Sequence, residues 1–438
     1  MTAAPIRGWC PGALRPMESG DGLIVRLKIT GGIVPLDLAA AVAEWSAQWG
    51  NGEIDLTSRA NLQLRGVSAE SLEDLQRAMA NAGLLDVDAD GEAVRNVIAS
   101  PLAGLDPGAV LDIRPFVAML EARLAGDAML HKLPAKFCFA VDDGGGLGLG
   151  DVRADVRFEA LIEAGQPIFA IYYDGGEDRR VGSCNPNDIA KVAAVLCSIF
   201  LVDQERSKTD IRRMRDLVAA VGIRKIAGRG ALGPKSRVLR VLPSEAPMRI
   251  GVHALKELDA GPANEMTAYV GLGLAFGRVA AEDLDRFAKR AAEYGATELR
   301  LTPWRAMLVP LPSLQSALDL AGCAAGEGFI LDPVDPRRQA AACVGAPSCR
   351  SATTDVRSDA TQLAPLVAEG SFLHVSGCAK GCAHPRAAPV TLVGRDGLYD
   401  LVLNGAPSDS PSIRCLTLDE AAGHLRQMAA QHSQGGTA

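Results

Sequence analysis

The sequence predicts an α+β protein in which two copies of one small strand–helix–strand unit, related by pseudo-symmetry, are interleaved with two larger α/β units. Three observations carry this. Residues 22–67 and 267–312 align without a gap, Gly32 falling on Gly277, Val34 on Val279, Gly50 on Gly295, Glu53 on Glu298, Leu56 on Leu301 and Thr57 on Thr302. A chain of 438 residues leaves room for one domain of ordinary size between the copies and another after them. The last stretch gathers four cysteines into two close pairs. The boundaries read from these features are 15–85, 90–245, 246–325 and 330–432.

In each copy the elements follow in order. Residues 23–29 alternate apolar and polar with β-branched side chains, as a strand does. Residues 37–49 have helical spacing and end at Gly50, a stop signal. Residues 53–64 alternate again. The copies differ in chemistry at this last strand end. The first reads Thr57-Ser58-Arg59-Ala60-Asn61-Leu62-Gln63-Leu64-Arg65, the second Thr302-Pro303-Trp304-Arg305-Ala306-Met307-Leu308-Val309-Pro310. Only the first keeps a polar set, which points it toward a ligand at the interface of the copies. The alternative is a polar coat on a half-buried strand.

In the unit between the copies, 137–141 and 152–158 read as strands joined by a long hairpin loop, 142–150, whose glycine run is not followed by a helix as a phosphate loop would be. Residues 187–201 and 210–221 read as helices, and Arg212, Arg213 and Arg215 of the second as a solvated face. In the last unit, 390–393 and 398–403 form a hairpin turned at 394–397, and Thr417 to Glu420 is a capping box that opens a final helix.

Composition narrows the function. With 45 Lys+Arg against 52 Asp+Glu the net charge is −7, which disfavours bulk nucleic-acid binding but allows a local basic pocket. Aromatic residues at 4% argue against a stacking platform for single strands. Hydrophobic residues at 48% exclude wholesale disorder. No apolar run is long enough for a membrane span, and the N-terminus has no apolar core of a secretory signal. A cytoplasmic location is expected, where ten cysteines read as metal ligands or core residues rather than disulfides.

Cys343 and Cys349 form a C-x5-C pair, and Cys378 and Cys382 a C-x3-C pair. Four thiolates on turns rich in Gly, Pro and Ser suit a [4Fe–4S] cluster, since small residues let backbone N–H groups reach its sulfurs. Arg350, Lys380 and Arg386 would offset its negative charge. Structural zinc is the main alternative, although its arms are usually tighter than C-x5-C; buried structural cysteine is the other. No two histidines stand four apart, so no facial-triad spacing for a mononuclear iron is visible; His384, two residues beyond Cys382, is the histidine nearest the motif.

Together these residues resemble the sulfite/nitrite reductase superfamily over nearly the whole chain. The carriers are Thr57, Arg59, Gln63 and Arg65, then Arg95-Asn96-Val97, then Leu133-Pro134-Ala135-Lys136-Phe137-Cys138, and the cysteine pairs. The resemblance implies two ferredoxin-like half-domains interleaved with two sulfite/nitrite-reductase-type α/β iron–sulfur domains. It also implies that two arginines and two lysines hold an oxyanion over a sirohaem iron. Arg59, Arg95 and Lys136 match three of those positions; the fourth is Cys138, which carries no cation, and Lys380 stands where the reductases commonly have Asn.

A narrower resemblance is to the precorrin-3B synthase family of aerobic cobalamin biosynthesis, carried by Arg7-Gly8-Trp9-Cys10-Pro11, by residues 16–23 and 56–66, and by 377–385. It implies an oxidoreductase, a monooxygenase that takes precorrin-3A and dioxygen, hydroxylates C20 and closes the ring-A acetate onto C1 as a γ-lactone. Implied cofactors are the [4Fe–4S] cluster, a mononuclear non-haem iron and electrons derived from NAD(P)H through a donor. Such a substrate is rich in carboxylates. Arg26, Arg59, Arg65, Arg95 and Lys136, with Thr57, Asn61 and Gln63, are the candidate substrate-binding set, because guanidinium and ammonium groups bind carboxylates by charge-assisted hydrogen bonds. A sirohaem-dependent sulfite or nitrite reductase is the alternative.

Overall fold

The computed structural model describes residues 10–176, 180–207, 209–229, 249–255 and 266–435. Residues 7–9 of the N-terminal motif, and the boundary expected at 245/246, lie outside them. The described residues form four five-stranded sheets. The two repeats supply two of them, and each borrows a strand from the other. Strands Met17–Ser19, Gly22–Leu27, Leu62–Val67 and Glu53–Leu56 are completed by Arg278–Ala280 from the second repeat. Strands Gly251–Ala254, Ala268–Gly273, Ala306–Leu311 and Glu298–Leu301 are completed by Ile33–Pro35 from the first. The exchanged strands pair antiparallel, Arg278 opposite Asp55 and Ile33 opposite Arg300. Helices Leu36–Trp49 and Ala281–Glu293 pack together, and both repeats share one apolar core.

Glycine makes the exchange possible. At Gly32 (φ 69°) an added Cβ would come 2.9 Å from the Leu301 carbonyl, and at Gly277 (φ 74°) 2.9 Å from the Leu56 carbonyl, so each crossing backbone grazes the other repeat's strand end.

The two larger units share one strand pattern. In the central unit Val97–Ala99, Phe139–Asp142 and Val156–Glu163 run parallel, then Gln166–Tyr173 and Gly182–Cys184 add antiparallel. In the last unit Ala340–Ala342, Leu373–Ser376 and Ala388–Arg395 run parallel, then Leu398–Gly405 and Ile413–Leu416 add antiparallel. The loop 142–150 is therefore not a hairpin. Asp142 accepts the N–H groups of Gly144 (3.0 Å) and Leu149 (2.6 Å), which folds the loop back so that the next strand starts at the same end as Phe139. The expected strand 53–64 is two strands, with a tight turn at 57–61. Thr417 and Glu420 form the capping box, each side chain accepting the other's N–H. No described helix is long and apolar enough to cross a membrane.

Asp55 joins three of these units. It is buried, yet Arg278 of the second repeat (2.8 Å), Arg357 of the last unit (3.2 Å) and Arg65 of its own hairpin (3.7 Å) converge on its carboxylate. Burial alone would raise its pKa; the charge of Arg357 and the hydrogen bond and charge of Arg278 outweigh that and hold it below the usual range. Replacing it, as in Asp55→Ala, leaves the buried Arg357 guanidinium without its carboxylate among the described residues, while Arg65 keeps Asp21 and Arg278 keeps Glu53, and should cost about 3–5 kcal/mol of stability. Urea unfolding checks this, and a midpoint unchanged from the parent would refute it.

Candidate active site

The turn of the first repeat's hairpin aims Arg59 outward. Thr57 N–H bonds to the Asn61 carbonyl at 2.9 Å, the Thr57 hydroxyl accepts the N–H groups of Arg59 and Asn61 at 3.2 Å, and Ala60 sits at φ 54°. The second repeat builds the same turn on Thr302, whose hydroxyl accepts the Ala306 N–H at 3.0 Å, with Arg305 at φ 61°. By the repeat alignment Trp304 takes the place of Arg59. Both side chains line one cleft of about 1460 Å³, enclosed also by the central unit and by Ala383 to Arg386 of the last unit. The second repeat thus contributes a flat indole where the first contributes a cation. The Arg249 guanidinium lies 4.2 Å above that indole and is held by Asp151 at 2.8 Å.

The cleft is strongly cationic. Arg212, Arg213, Arg215 and Arg249 on its wall are paired with Asp210, Asp155, Asp174 and Asp151. Arg59, Lys132, Lys136, Arg153 and Arg386 also line it and, among the described residues, have no carboxylate partner. The Arg59 guanidinium donates to the Lys136 carbonyl at 2.7 Å, which fixes its direction. Among the described residues, three buried N–H donors on the wall lack an acceptor: Arg59 Nη1, Arg249 Nε and Trp304 Nε1. Unpaired cations and unfilled donors call for a ligand bearing several acceptors.

The four paired cysteines lie in the last unit, Cys378 and Cys382 just ahead of the cleft-lining Ala383 to Arg386. Cys343 follows strand Ala340–Ala342, and its Sγ accepts the Gly377 N–H at 3.1 Å. Burial raises the Cys382 thiol, and then the charges of Cys343, Cys378 and Cys349 raise it further, so all four lie within electrostatic reach. Among the described residues, no group of three or more His, Cys, Asp or Glu closes on a single metal ion. Thiolate donors with a backbone N–H aimed at sulfur fit a multi-iron cluster, whose positive irons would relieve their mutual repulsion. No ligand set for a mononuclear iron is formed among the described residues either. His384 lines the cleft, and its ring stands 5.6 Å from that of His374, a fully buried histidine whose ring nitrogens have no partner.

The sequence profile of the nitrite/sulfite reductase ferredoxin-like half domain matches residues 15–82 and 262–319, and that of the nitrite and sulphite reductase 4Fe-4S domain matches residues 90–228. A precorrin-3B synthase from a Sinorhizobium species is 34% identical over 414 residues, covering 93% of this chain and 84% of its own length. The chain belongs to the nitrite and sulfite reductase family. A ferredoxin–nitrite reductase of Synechococcus elongatus is 26% identical, over 87% of this chain and 77% of its own. The solved NirA protein of Mycobacterium tuberculosis shares the fold, with a TM-score of 0.73 at 21% identity over 93% of this chain and 80% of that one. The matched 4Fe-4S region, 90–228, contains only Cys138, Cys184 and Cys197, dispersed in sequence. The paired cysteines lie in the last unit, which has the same sheet pattern, so the two larger units differ in whether they bear the cysteine pairs.

Within this family frame the expected substrate set divides. Arg59 and Lys136 face the cleft. The others do not line it. Thr57 braces the turn, and Asn61 is buried, accepting the Ile29 N–H at 3.2 Å. Arg26 is satisfied by Gln63 at 2.6 Å. Arg65 is buried between Asp21 and Asp55. Arg95 is held by Asp86 at 2.8 Å and Glu121 at 3.1 Å; burial opposes its charge, but the Asp86 hydrogen bond and the Glu121 charge raise its pKa. Carboxylates account for Arg65 and Arg95, the Gln63 amide for Arg26, and backbone N–H groups for Thr57 and Asn61. Cys138 is buried and neutral, its thiol pushed up by burial. Of the arginines at 212, 213 and 215, Arg212 and Arg215 are solvent-exposed as expected, but all three line the cleft, and Arg213 is drawn inward by fully buried Asp155 at 2.9 Å. Sequence reasoning also missed Arg153, Arg249 and Trp304; the alignment of Trp304 with Arg59 was the available signal.

Lys28 went unnoticed as well. Its buried ammonium donates to the Glu92 carbonyl and to Asn96 Oδ1 (3.1 Å), and burial, then the charge of Arg95, lowers its pKa to about 7. The unfolded chain therefore holds this proton more tightly, and native stability rises as pH increases from about 7 toward 10.5, by up to about 1.4 kcal/mol per pH unit. Lys28→Met should flatten that rise in denaturation series at pH 7–10; parallel slopes in the two proteins would refute the assignment.

For the cysteines, Cys378→Ser should lose iron, sulfide and the broad visible absorbance. Full iron and sulfide content in that variant would remove Cys378 from the cluster.

Proposed function

We propose that this chain is a precorrin-3B synthase. It binds precorrin-3A, a metal-free tetrapyrrole rich in carboxylates, in the cation-lined cleft, hydroxylates C20 with dioxygen and closes the ring-A acetate onto C1. The observation that carries this reading is the layout of charge. A small oxyanion needs four cations converging on one point, and here only Arg59 and Lys136 of the four reductase positions face the cleft, Arg95 being engaged by Asp86 and Glu121 and position 138 being a neutral thiol. A wide polycarboxylate instead needs cations spread around it, as Arg59, Lys132, Lys136, Arg153 and Arg386 are. Each charge-assisted contact contributes about 1.5–3 kcal/mol, so a few suffice for tight binding. The 34% identity to a precorrin-3B synthase, against 26% to a nitrite reductase, supports the same reading.

The chain's own residues bind and orient. The cations seat the peripheral carboxylates, and the Trp304 indole with Arg249 offers the conjugated ring system a flat wall. Cys343, Cys349, Cys378 and Cys382 would hold the [4Fe–4S] cluster, which supplies single electrons when bound. The overall change puts one oxygen atom of dioxygen in the product hydroxyl and the other in water, with two electrons derived from NAD(P)H through a donor. No step is given to a mononuclear iron.

The test supplies precorrin-3A, a reductant and isotopically labelled dioxygen to anaerobically purified holoprotein. Label in the product hydroxyl is expected. Bound sirohaem with oxygen-independent formation of sulfide or ammonia from sulfite or nitrite would replace this reading by the reductase one.

A further inference from the structure

The hairpin formed by strands Met17–Ser19 and Gly22–Leu27 is pressed against the loop between Cys343 and Cys349. At Gly20, in its turn, an added Cβ would lie 2.8 Å from both the Arg350 nitrogen and the Ser348 carbonyl oxygen. The Ser19 hydroxyl donates to that carbonyl at 3.2 Å. Arg65 donates to the Ser19 oxygen at 2.9 Å and reaches the Ser348 carbonyl itself at 3.5 Å. Asp21 holds the guanidinium by bonds of 2.9 and 3.0 Å, and Asp55 stands 3.7 Å away. The Arg65 side chain is only 3% exposed. Asp55 also binds Arg357, in helix Val356–Leu363, which follows the cysteine loop. The first repeat thus grips the loop at the residue before Cys349 and again where the loop ends.

We infer that Arg65 is a positioning residue for Cys349: through Ser19 and directly, it fixes the Ser348 carbonyl and so the cysteine loop, and it takes no part in holding the tetrapyrrole. A buried guanidinium locked by two carboxylates is a rigid donor, and a carbonyl fixed by two donors restricts the next residue's sulfur. Without them the loop opens more often, and opening exposes the cluster to oxidative loss. The inference rests on the assignment of Cys343, Cys349, Cys378 and Cys382 as cluster ligands.

The test compares holoprotein variants Arg65→Ala, Ser19→Ala, Gly20→Ala and Arg59→Ala in three readouts: the electron paramagnetic resonance of the reduced cluster, the rate of bleaching in air, and affinity for uroporphyrin, a metal-free octacarboxylate probe of the cleft. Arg65→Ala and Gly20→Ala should change the resonance and bleach about tenfold faster, the effect of losing one charge-assisted hydrogen bond, with probe affinity kept within about twofold. Ser19→Ala should shift both cluster readouts in the same direction by less. Arg59→Ala should do the reverse, weakening the probe about tenfold with an unchanged resonance. Parent-like resonance and bleaching in Arg65→Ala, or probe binding as weak as in Arg59→Ala, would overturn the inference. Should Arg65→Ala fail to fold, parent-like cluster readouts in both Gly20→Ala and Ser19→Ala would overturn it equally. If instead the parent lacks the cluster signal, or Cys378→Ser retains it, the cysteine assignment fails and the inference with it.

Discussion

The carboxylate of Asp55 ties the two repeats to the unit that bears the paired cysteines. A lone buried carboxylate is costly, and so is a lone buried guanidinium. Asp55 offsets both by meeting Arg65, Arg278 and Arg357, which arrive from its own hairpin, the other repeat and the cysteine-bearing unit. The position of Asp55 opposite Arg278 in the exchanged strand pair means that backbone register and charge pairing specify the same arrangement. A one-residue slip would take Arg278 away from the Asp55 carboxylate and turn the strand's side chains to the other face.

The repeats keep one backbone and divide the chemistry. Both turns have the same hydroxyl brace and the same positive-φ residue, at Ala60 and Arg305. Since the scaffold holds the turn without help from the intervening side chain, that side chain was free to differ: Arg59 on one wall of the cleft, Trp304 on the other. The larger units divide their roles likewise, one sheet pattern carrying cations in the central copy and paired cysteines in the last.

Much of this was legible in the sequence. Local periodicity and turn residues exposed the repeat, and the spacing of Cys343, Cys349, Cys378 and Cys382 marked them as a set. What stayed hidden was long-range. The exchanged strands are three residues each, too short for any period, and their partners lie in the other repeat. Arg59 and Arg65 look alike on one strand end, and only Asp21 and Asp55 tell them apart. Arg213 reads as part of a polar helix start until Asp155, nearly sixty residues earlier, is seen beneath it. The 142–150 loop reads as a hairpin because the carboxylate that folds it back, Asp142, could as well have been a strand-end residue.

The strand exchange bears on the order of synthesis. As the chain emerges, the first repeat's sheet must wait for Arg278–Ala280, and Ile33–Pro35 has no partner until Glu298–Leu301 is made. The first repeat therefore leaves the ribosome with an open sheet edge and part of a shared core exposed, while the central unit, whose sheet draws only on residues 97–184, can close by itself. Long-range closure of this kind is slow, and the waiting edge is the point at which nascent chains would pair with one another instead.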